Sequence, residues 1–244
     1  MGDPRFSRIE LMLGEEAAER LRSSFVVVVG LGAVGSYAVE GLARSGVGRL
    51  RLVDFDEVGV TNINRQLYAL ESTVGRYKCD VAAERVRDIN PNCEVEPLRL
   101  FADPETMGRI LAGRPDLVID AIDSLGPKCG LIRSVTEAGI PLISSLGAAL
   151  RTDFTRIRVG SIRDVHACPL GKEVRKKLNK MGASLDFECV YSDEPLPSPL
   201  PIAPPEKQTY ERGRARNTLG SLPTLTGMFG LAAATRGIEI LLGK

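Results

Sequence analysis

The stretch Phe25-Val-Val-Val-Val-Gly30-Leu-Gly32-Ala-Val-Gly35 decides the fold. Four valines in a row after Phe25 suit a strand buried on both faces. The glycines that follow are spaced for a turn that opens a helix. Gly30 permits the tight turn, Gly32 lets the backbone approach phosphates, and Gly35 lets helix and strand pack closely. The helix start then offers unpaired N–H groups and a positive dipole end to an anion. Asp54 closes the next strand, 19 residues after Gly35, where an acid can accept hydrogen bonds from ribose hydroxyls. Three spaced glycines also occur in plain turns. It is the order strand, glycine turn, helix, strand, acid that points to a nucleotide.

Working outward, further strands are expected at 50–54, 94–100, 117–122 and 141–145. Helices are expected at 11–22, 34–45, 76–90 (stopped by Pro91), 103–112 and 126–138. Strands alternating with helices predict an α/β fold: a Rossmann-like, doubly wound, mostly parallel sheet. The pattern changes after Gly147. Segments 156–159 and 188–191 read as strands, with a basic helix at Lys172–Lys180 between them. Pro195–Pro205 carries six prolines in eleven positions, which predicts an extended or mobile loop. The apolar run 219–242 contains Arg236 and Glu239, which a membrane span tolerates poorly. It is expected to be a buried or dimer-packing helix. The chain thus divides into a nucleotide-binding core with its N-terminal helix (1–150) and a C-terminal extension of strands and helices (151–244), within one compact domain.

The bulk numbers fit a globular chain of 244 residues, 43% hydrophobic and 26% charged, with net charge +1. That charge is uneven. Residues 1–150 hold 17 Lys+Arg against 21 Asp+Glu, and residues 151–244 hold 15 against 10, so the second part is the one suited to a polyanion. Five scattered cysteines without a C-x-x-C argue against a disulfide framework and a cysteine zinc site. No secretory signal is read at the N-terminus, and a cytoplasmic location with no membrane contact is expected.

The segment Asp54-Phe-Asp56 through Asn62-Ile-Asn-Arg65-Gln66, with Lys78 and Asp123 further on, bears on which nucleotide is bound. Arg65 and Lys78 suit the β/γ-phosphates of ATP better than the pyrophosphate diester of NAD. Asp123 suits Mg2+, a hard cation that takes one or two carboxylates plus phosphate oxygens. Asn62 suits a phosphate or substrate oxygen. Taken singly, the same residues read as surface charges and a helix cap.

These motifs resemble the ubiquitin-activating-enzyme superfamily, whose small bacterial members are homodimers that form acyl-adenylates. The resemblance implies that Gly30, Gly32 and Gly35 lie under the phosphates of ATP. Asp54 would hold the ribose, with Asp56 and Gln66 lining the same nucleotide site. It also implies that Asn62, Arg65 and Lys78 bind phosphate and Asp123 binds Mg2+. Arg8, in the opening Arg5-Phe-Ser-Arg8, would reach the partner subunit's ATP and stabilise charge on the leaving pyrophosphate. Asp186 to Glu194 and Leu219 to Gly230 look like the branch of tRNA threonylcarbamoyladenosine dehydratases. That branch implies ATP-dependent cyclisation of threonylcarbamoyladenosine in the tRNA anticodon loop, with tRNA as partner. A cysteine-desulfurase or sulfur-acceptor partner is a further expectation.

Two other readings stand beside this one. One is adenylation of the C-terminal glycine of a ubiquitin-like sulfur carrier, opposed by the missing zinc cysteines. The other is an NAD-binding redox protein, opposed by Arg65, Lys78 and Asp123. The candidate tRNA contacts are Arg156, Arg158 and Arg163, the helix residues Lys172, Arg175, Lys176, Lys177 and Lys180, and the loop residues Arg212, Arg214 and Arg216. Cys189 has two readings, a covalent acyl carrier or a small buried strand residue; His166 and Cys129 read as structural.

Overall fold

The structure is a computed structural model that describes residues 3–200, 202–204 and 218–244. Arg212, Arg214, Arg216 and part of the proline-dense segment lie outside the described residues. Seven strands form one sheet: β1 (Phe25–Val29), β2 (Arg49–Val53), β3 (Glu94–Leu98), β4 (Leu117–Asp120), β5 (Leu142–Ser145), β6 (Ile157–Ser161) and β7 (Glu188–Ser192). Their spatial order is β3-β2-β1-β4-β5-β7-β6. All neighbours are parallel except β6, which runs antiparallel to β7 at the edge. The expected doubly wound, mostly parallel sheet is the fold. The valines of β1 are buried on both faces because helices cover both sides. Chain order reverses between β1 and β4, and ligands of such sheets bind at that crevice, beyond the carboxyl ends of the strands.

The helices are α1 (Ser7–Leu13), α2 (Glu15–Ser23), α3 (Gly35–Arg44), α4 (Lys78–Ile89), α5 (Met107–Ile110), α6 (Leu125–Glu137), α7 (Pro169–Lys180) and α8 (Pro223–Leu241). The single helix expected at 11–22 is two helices. Gly14, at φ +90°, breaks the path in a conformation that costs only glycine little. The helix expected at 103–112 shrinks to one turn. Asp103 Oδ1 accepts the N–H groups of Glu105 and Thr106 at 3.0 Å, a local arrangement that competes with helix.

The expected helix 76–90 starts only at Lys78, since the Arg76 carbonyl accepts Val58 N–H at 2.8 Å. The apolar run 219–242 becomes α8 only from Pro223, because Thr218–Leu219 forms strand β9 against β8 (Ile202–Ala203). α8 lies on α3 through small residues. A Cβ on Gly230 would overlap the Val34 carbonyl oxygen, and one on Gly41 would meet Ala234 Cβ at 2.9 Å. No helix among the described residues is long and apolar enough to cross a membrane.

Candidate functional site: a phosphate-binding turn and its charged rim

Packing dictates two of the three glycines in the turn. Gly30 has φ +90°, and a Cβ there would sit 2.8 Å from the Ala121 carbonyl oxygen. A Cβ on Gly35 would overlap the Gly30 carbonyl oxygen. Gly32 differs: its added Cβ would find only Gln66 Nε2, at an ordinary 3.7 Å. The protein itself leaves room for a side chain at position 32, so the demand for glycine there falls to something that approaches from outside.

Asp54 lies just past β2 and is buried. Its Oδ2 accepts Leu31 N–H at 2.7 Å and its Oδ1 accepts Asp56 N–H at 2.9 Å. The carboxylate pins the glycine turn, and each oxygen keeps lone-pair capacity for a hydroxyl. Lys78, the first residue of α4, is 5% exposed. Its Nζ donates to Asp56 Oδ2 at 2.9 Å, and its backbone N–H donates to the Asp56 carbonyl at 2.9 Å. Asp56 Oδ1 is buried with no hydrogen-bond partner, the kind of atom that awaits a donor. Burial pushes the Asp56 carboxyl up; Lys78 pulls it down, and Asp54 and Asp123 push it up further. Three carboxylates and a lysine therefore share one field at the carboxyl ends of β2 and β4.

Asn62 ends a 3-10 turn (Val60–Asn62) and its Oδ1 accepts Gly59 N–H at 3.0 Å. Arg65 is half-buried; its guanidinium rests on its own turn, donating to the Thr61 carbonyl and Asn64 Oδ1, each at 2.9 Å. Leu67 N–H donates to Ser36 Oγ at 3.2 Å and Tyr68 OH to the Ser36 carbonyl at 3.1 Å. These bonds stitch the segment over the first turn of α3 and bring buried Gln66 onto Gly32. Asp123 is exposed in the turn after β4. Among the described residues no three His, Cys, Asp or Glu side chains meet as a metal cage. Mg2+ held by one or two carboxylates and phosphate oxygens needs no such cage.

Arg8 is not brought to this cluster. Phe6 packs under Gly46, 3.4 Å from where a Cβ would stand, and Glu10 Oε1 accepts from Arg22 Nη1 at 2.8 Å. Both contacts sit at the amino edge of the sheet. The ten residues of α3 separate that edge from the glycine turn by about 15 Å, so Arg8 cannot serve its own chain's site.

Sequence reasoning passed over Lys128. Its side chain, on α6, and Asp120 are both 0% exposed. Lys128 Nζ donates to Asp120 Oδ2 at 2.6 Å, Ser144 Oγ at 3.1 Å and the Ser145 carbonyl at 2.9 Å. Asp120 Oδ1 accepts Ile122 N–H at 3.0 Å. This network ends β4 two residues earlier than expected and shapes the turn that carries Asp123 and abuts Gly30. A lysine directly after the Gly126-Pro127 pair in the first turn of a helix gives no outward sign of such burial.

All five cysteines are buried and unpaired. Burial pushes the Cys189 thiol far above its ordinary value, and it raises Cys79, Cys93 and Cys129 to about 11. Cys189 thus has the burial of a strand residue, and the nearby Lys128 and Arg175 charges do not offset that burial enough to make a thiolate. His166 is exposed; its Nδ1 lies 3.1 Å from the Asp164 carbonyl and its ring meets Tyr191 edge-on. Of the basic candidates, Arg175 is engaged by the Ile162 and Val165 carbonyls, and Arg156 and Arg158 by Asp193. Arg163, Lys172, Lys176 and Lys180 are exposed, and Lys177 is half-buried.

An open glycine turn at a strand-order reversal, with a buried lysine and three carboxylates at its mouth, defines an α/β protein built to hold a nucleotide by its phosphates. The ThiF family matches residues 6–244, and the chain belongs to that family. It is 44% identical over 225 residues to a tRNA threonylcarbamoyladenosine dehydratase of Bacillus subtilis, spanning 92% of this chain and 87% of that protein. Among solved structures it resembles the Escherichia coli tRNA N6-threonylcarbamoyladenosine dehydratase TcdA in complex with ATP, with TM-score 0.87 and 33% identity over 98% of this chain and 94% of that one. The same values hold for that protein in complex with AMP.

Proposed function

We propose that this chain catalyses the ATP-dependent dehydration of threonylcarbamoyladenosine in the tRNA anticodon loop. The observation that carries the reading is the buried Lys78–Asp56 pair, with its unpartnered Asp56 Oδ1, beside the opening at Gly32. It occurs in a chain that matches named dehydratases over nearly its whole length.

The chemistry follows from what a carboxylate needs. At neutral pH it resists nucleophiles. Attack of a carboxylate oxygen on the α-phosphorus of ATP forms the acyl-adenylate and expels pyrophosphate. The carbamoyl nitrogen of the same nucleoside then attacks the acyl carbon and closes a ring; AMP leaves and the nitrogen loses its proton. Because the second step is intramolecular, its effective concentration is high, and no enzyme nucleophile is required.

In this reading Gly30, Gly32 and Gly35 admit the phosphates, Asp54 accepts from the ribose, and Asn62, Gln66 and Lys78 line the phosphate path. Arg65 swings from its own turn onto phosphate. Asp123 would hold Mg2+, which when bound neutralises phosphate charge, and Asp56 lines the nucleotide site through Lys78. Arg8 acts from a second copy, since its own site is out of reach, so the working unit is a homodimer. Residues 1–150 hold the nucleotide, and residues 151–244 meet tRNA and the partner subunit. A cysteine-desulfurase or sulfur-acceptor partner and a cytoplasmic location belong to the same reading.

The test is direct. Mg·ATP should raise the melting temperature and NAD should not, because only a ligand of the native state stabilises it. Modified tRNA should support ATP–pyrophosphate exchange. Stabilisation by NAD, or exchange indifferent to the tRNA modification, would overturn the proposal.

A further inference from the structure

On the β2 side of the nucleotide crevice the segment that carries Asp56, Gln66 and Lys78 packs over the first turn of α3. The carboxyl ends of β5 and β7 lie on the other side of the crevice, the side left for a substrate carboxylate to approach. What stands there is one bonded loop, residues 146–156. Ile157, the first residue of β6, pairs with Ser192, the last of β7, so the 3-10 turn Phe154–Arg156 sits just past the carboxyl edge of the sheet.

The loop is built to be rigid. Arg151 is 2% exposed and donates to the backbone carbonyls of Glu194 and Ala167. The Glu194 carboxylate answers by accepting Thr152 N–H at 3.0 Å and Asp153 N–H at 3.1 Å. Asp153 in turn caps Phe154–Arg156 by accepting Thr155 N–H at 2.9 Å. Two non-glycine residues, Leu150 at φ +61° and Ala167 at φ +51°, adopt left-handed backbone at the two ends of this clamp. Backbone held in such conformations persists only where its surroundings fix it, and it gathers at functional sites.

The clamp carries an aromatic ring in the open. Of seven phenylalanines, Phe154 is the exposed one, at 60%. Arg156 and Arg158 beside it are held by Asp153 and Asp193, so the patch around the ring has little net charge. It therefore suits the flat face of a base better than a phosphate. Three strand spacings separate β4 from β6, which sets Phe154 about 15 Å from the Asp123 turn. That is the reach of a nucleotide flanking the one whose carboxylate lies at the phosphates. Unpaired bases of RNA loops stack on exposed aromatic side chains.

We propose that Phe154, held out by the Arg151–Glu194 clamp, is a stacking platform for an unpaired base of the RNA, next to the nucleoside that reacts. The inference rests on the dehydratase reading above and adds the residue that receives the flanking base. The clamp sets the ring's position, so Arg151 is a positioning residue.

The experiment measures KM for modified tRNA and the Kd for an unmodified anticodon stem-loop RNA, with Phe154→Ala, Phe154→Leu, Phe154→Trp and Arg151→Met. Loss of one stacked base should raise both constants about tenfold in Phe154→Ala. Phe154→Leu, which keeps bulk without a π-face, should fall with it, and Phe154→Trp should match wild type. Arg151→Met should raise KM for tRNA while the ATP-induced shift in melting temperature is kept. Wild-type RNA constants in Phe154→Ala, or equal behaviour of the Leu and Trp variants, would overturn the platform. So would a change of oligomeric state in Phe154→Ala, which would assign the ring to a second copy. Wild-type protein with no turnover on modified tRNA would instead overturn the reading beneath it.

Discussion

Replacing Lys128 by Met puts the buried network under the Asp123 turn to a quantitative test. In the native chain the ammonium makes three hydrogen bonds and neutralises Asp120 at 2.6 Å, with neither side chain exposed. Met keeps most of the volume and removes the charge. The Asp120 carboxylate then keeps only Ser144 Oγ, at 2.7 Å, and Ile122 N–H, at 3.0 Å, as donors. An isolated buried charge of this kind costs about 3–5 kcal/mol, and at this chain length that lowers Tm by about 6–20 °C.

The double variant Lys128→Met/Asp120→Asn removes both charges and should recover much of that loss, because the cost lies in the unpaired carboxylate rather than in the missing bond. Calorimetry of the three proteins gives the answer. The single variant should also weaken Mg·ATP binding even below its melting point, since Asp120 shapes the turn that bears Asp123 and abuts Gly30. A Lys128→Met protein that melts within about 2 °C of wild type would refute the argument, because the predicted minimum shift is several times larger.

Lys78→Met and Arg65→Ala should each abolish turnover, and only the first should lower Tm clearly, since Lys78 is buried on Asp56 while Arg65 rests on its own turn; turnover at the wild-type rate in both would remove the proposed phosphate site. Asp56 has a raised carboxyl value, caused first by burial, so its contribution to stability is present below the ordinary carboxylate value and is lost as pH rises through the folded one. The melting temperature of Asp56→Asn relative to wild type should therefore climb as pH rises from the ordinary carboxylate range upward, and a flat difference would contradict that assignment. At pH 8 a thiol reagent should leave the native protein unlabelled and titrate all five cysteines after unfolding; one fast native thiol would reopen the covalent route. Inactive Arg8→Ala and Lys78→Met chains, mixed and allowed to exchange, should regain about a quarter of wild-type activity, because half the dimers are mixed and each holds one whole site. No recovery despite subunit exchange would refute action in trans.

Much of this site can be read from residues alone because its parts follow local rules. A β-branched run, a turn that clashes without glycine at 30 and 35, and an acid at the next strand end all leave marks in order along the chain. The parts that could not be read depend on partners remote in sequence. Lys128 looks like any helix-surface lysine until Asp120 and Ser144 fold around it, and Arg151 looks like a loop charge until Glu194 closes on it. Element ends depart from the sequence pattern where side chains capture backbone groups, as Asp103 does before α5 and Asp120 does after β4. Arg8 is a different case. Its proposed role needs a second chain, because its own glycine turn lies out of reach.

The central claim is tested most directly by mass spectrometry of nucleosides from threonylcarbamoylated tRNA incubated with the protein and Mg·ATP. The account predicts that the modified nucleoside loses the mass of one water, only with ATP and only with Lys78 intact. An unchanged nucleoside, from protein that still binds ATP and tRNA, would contradict it.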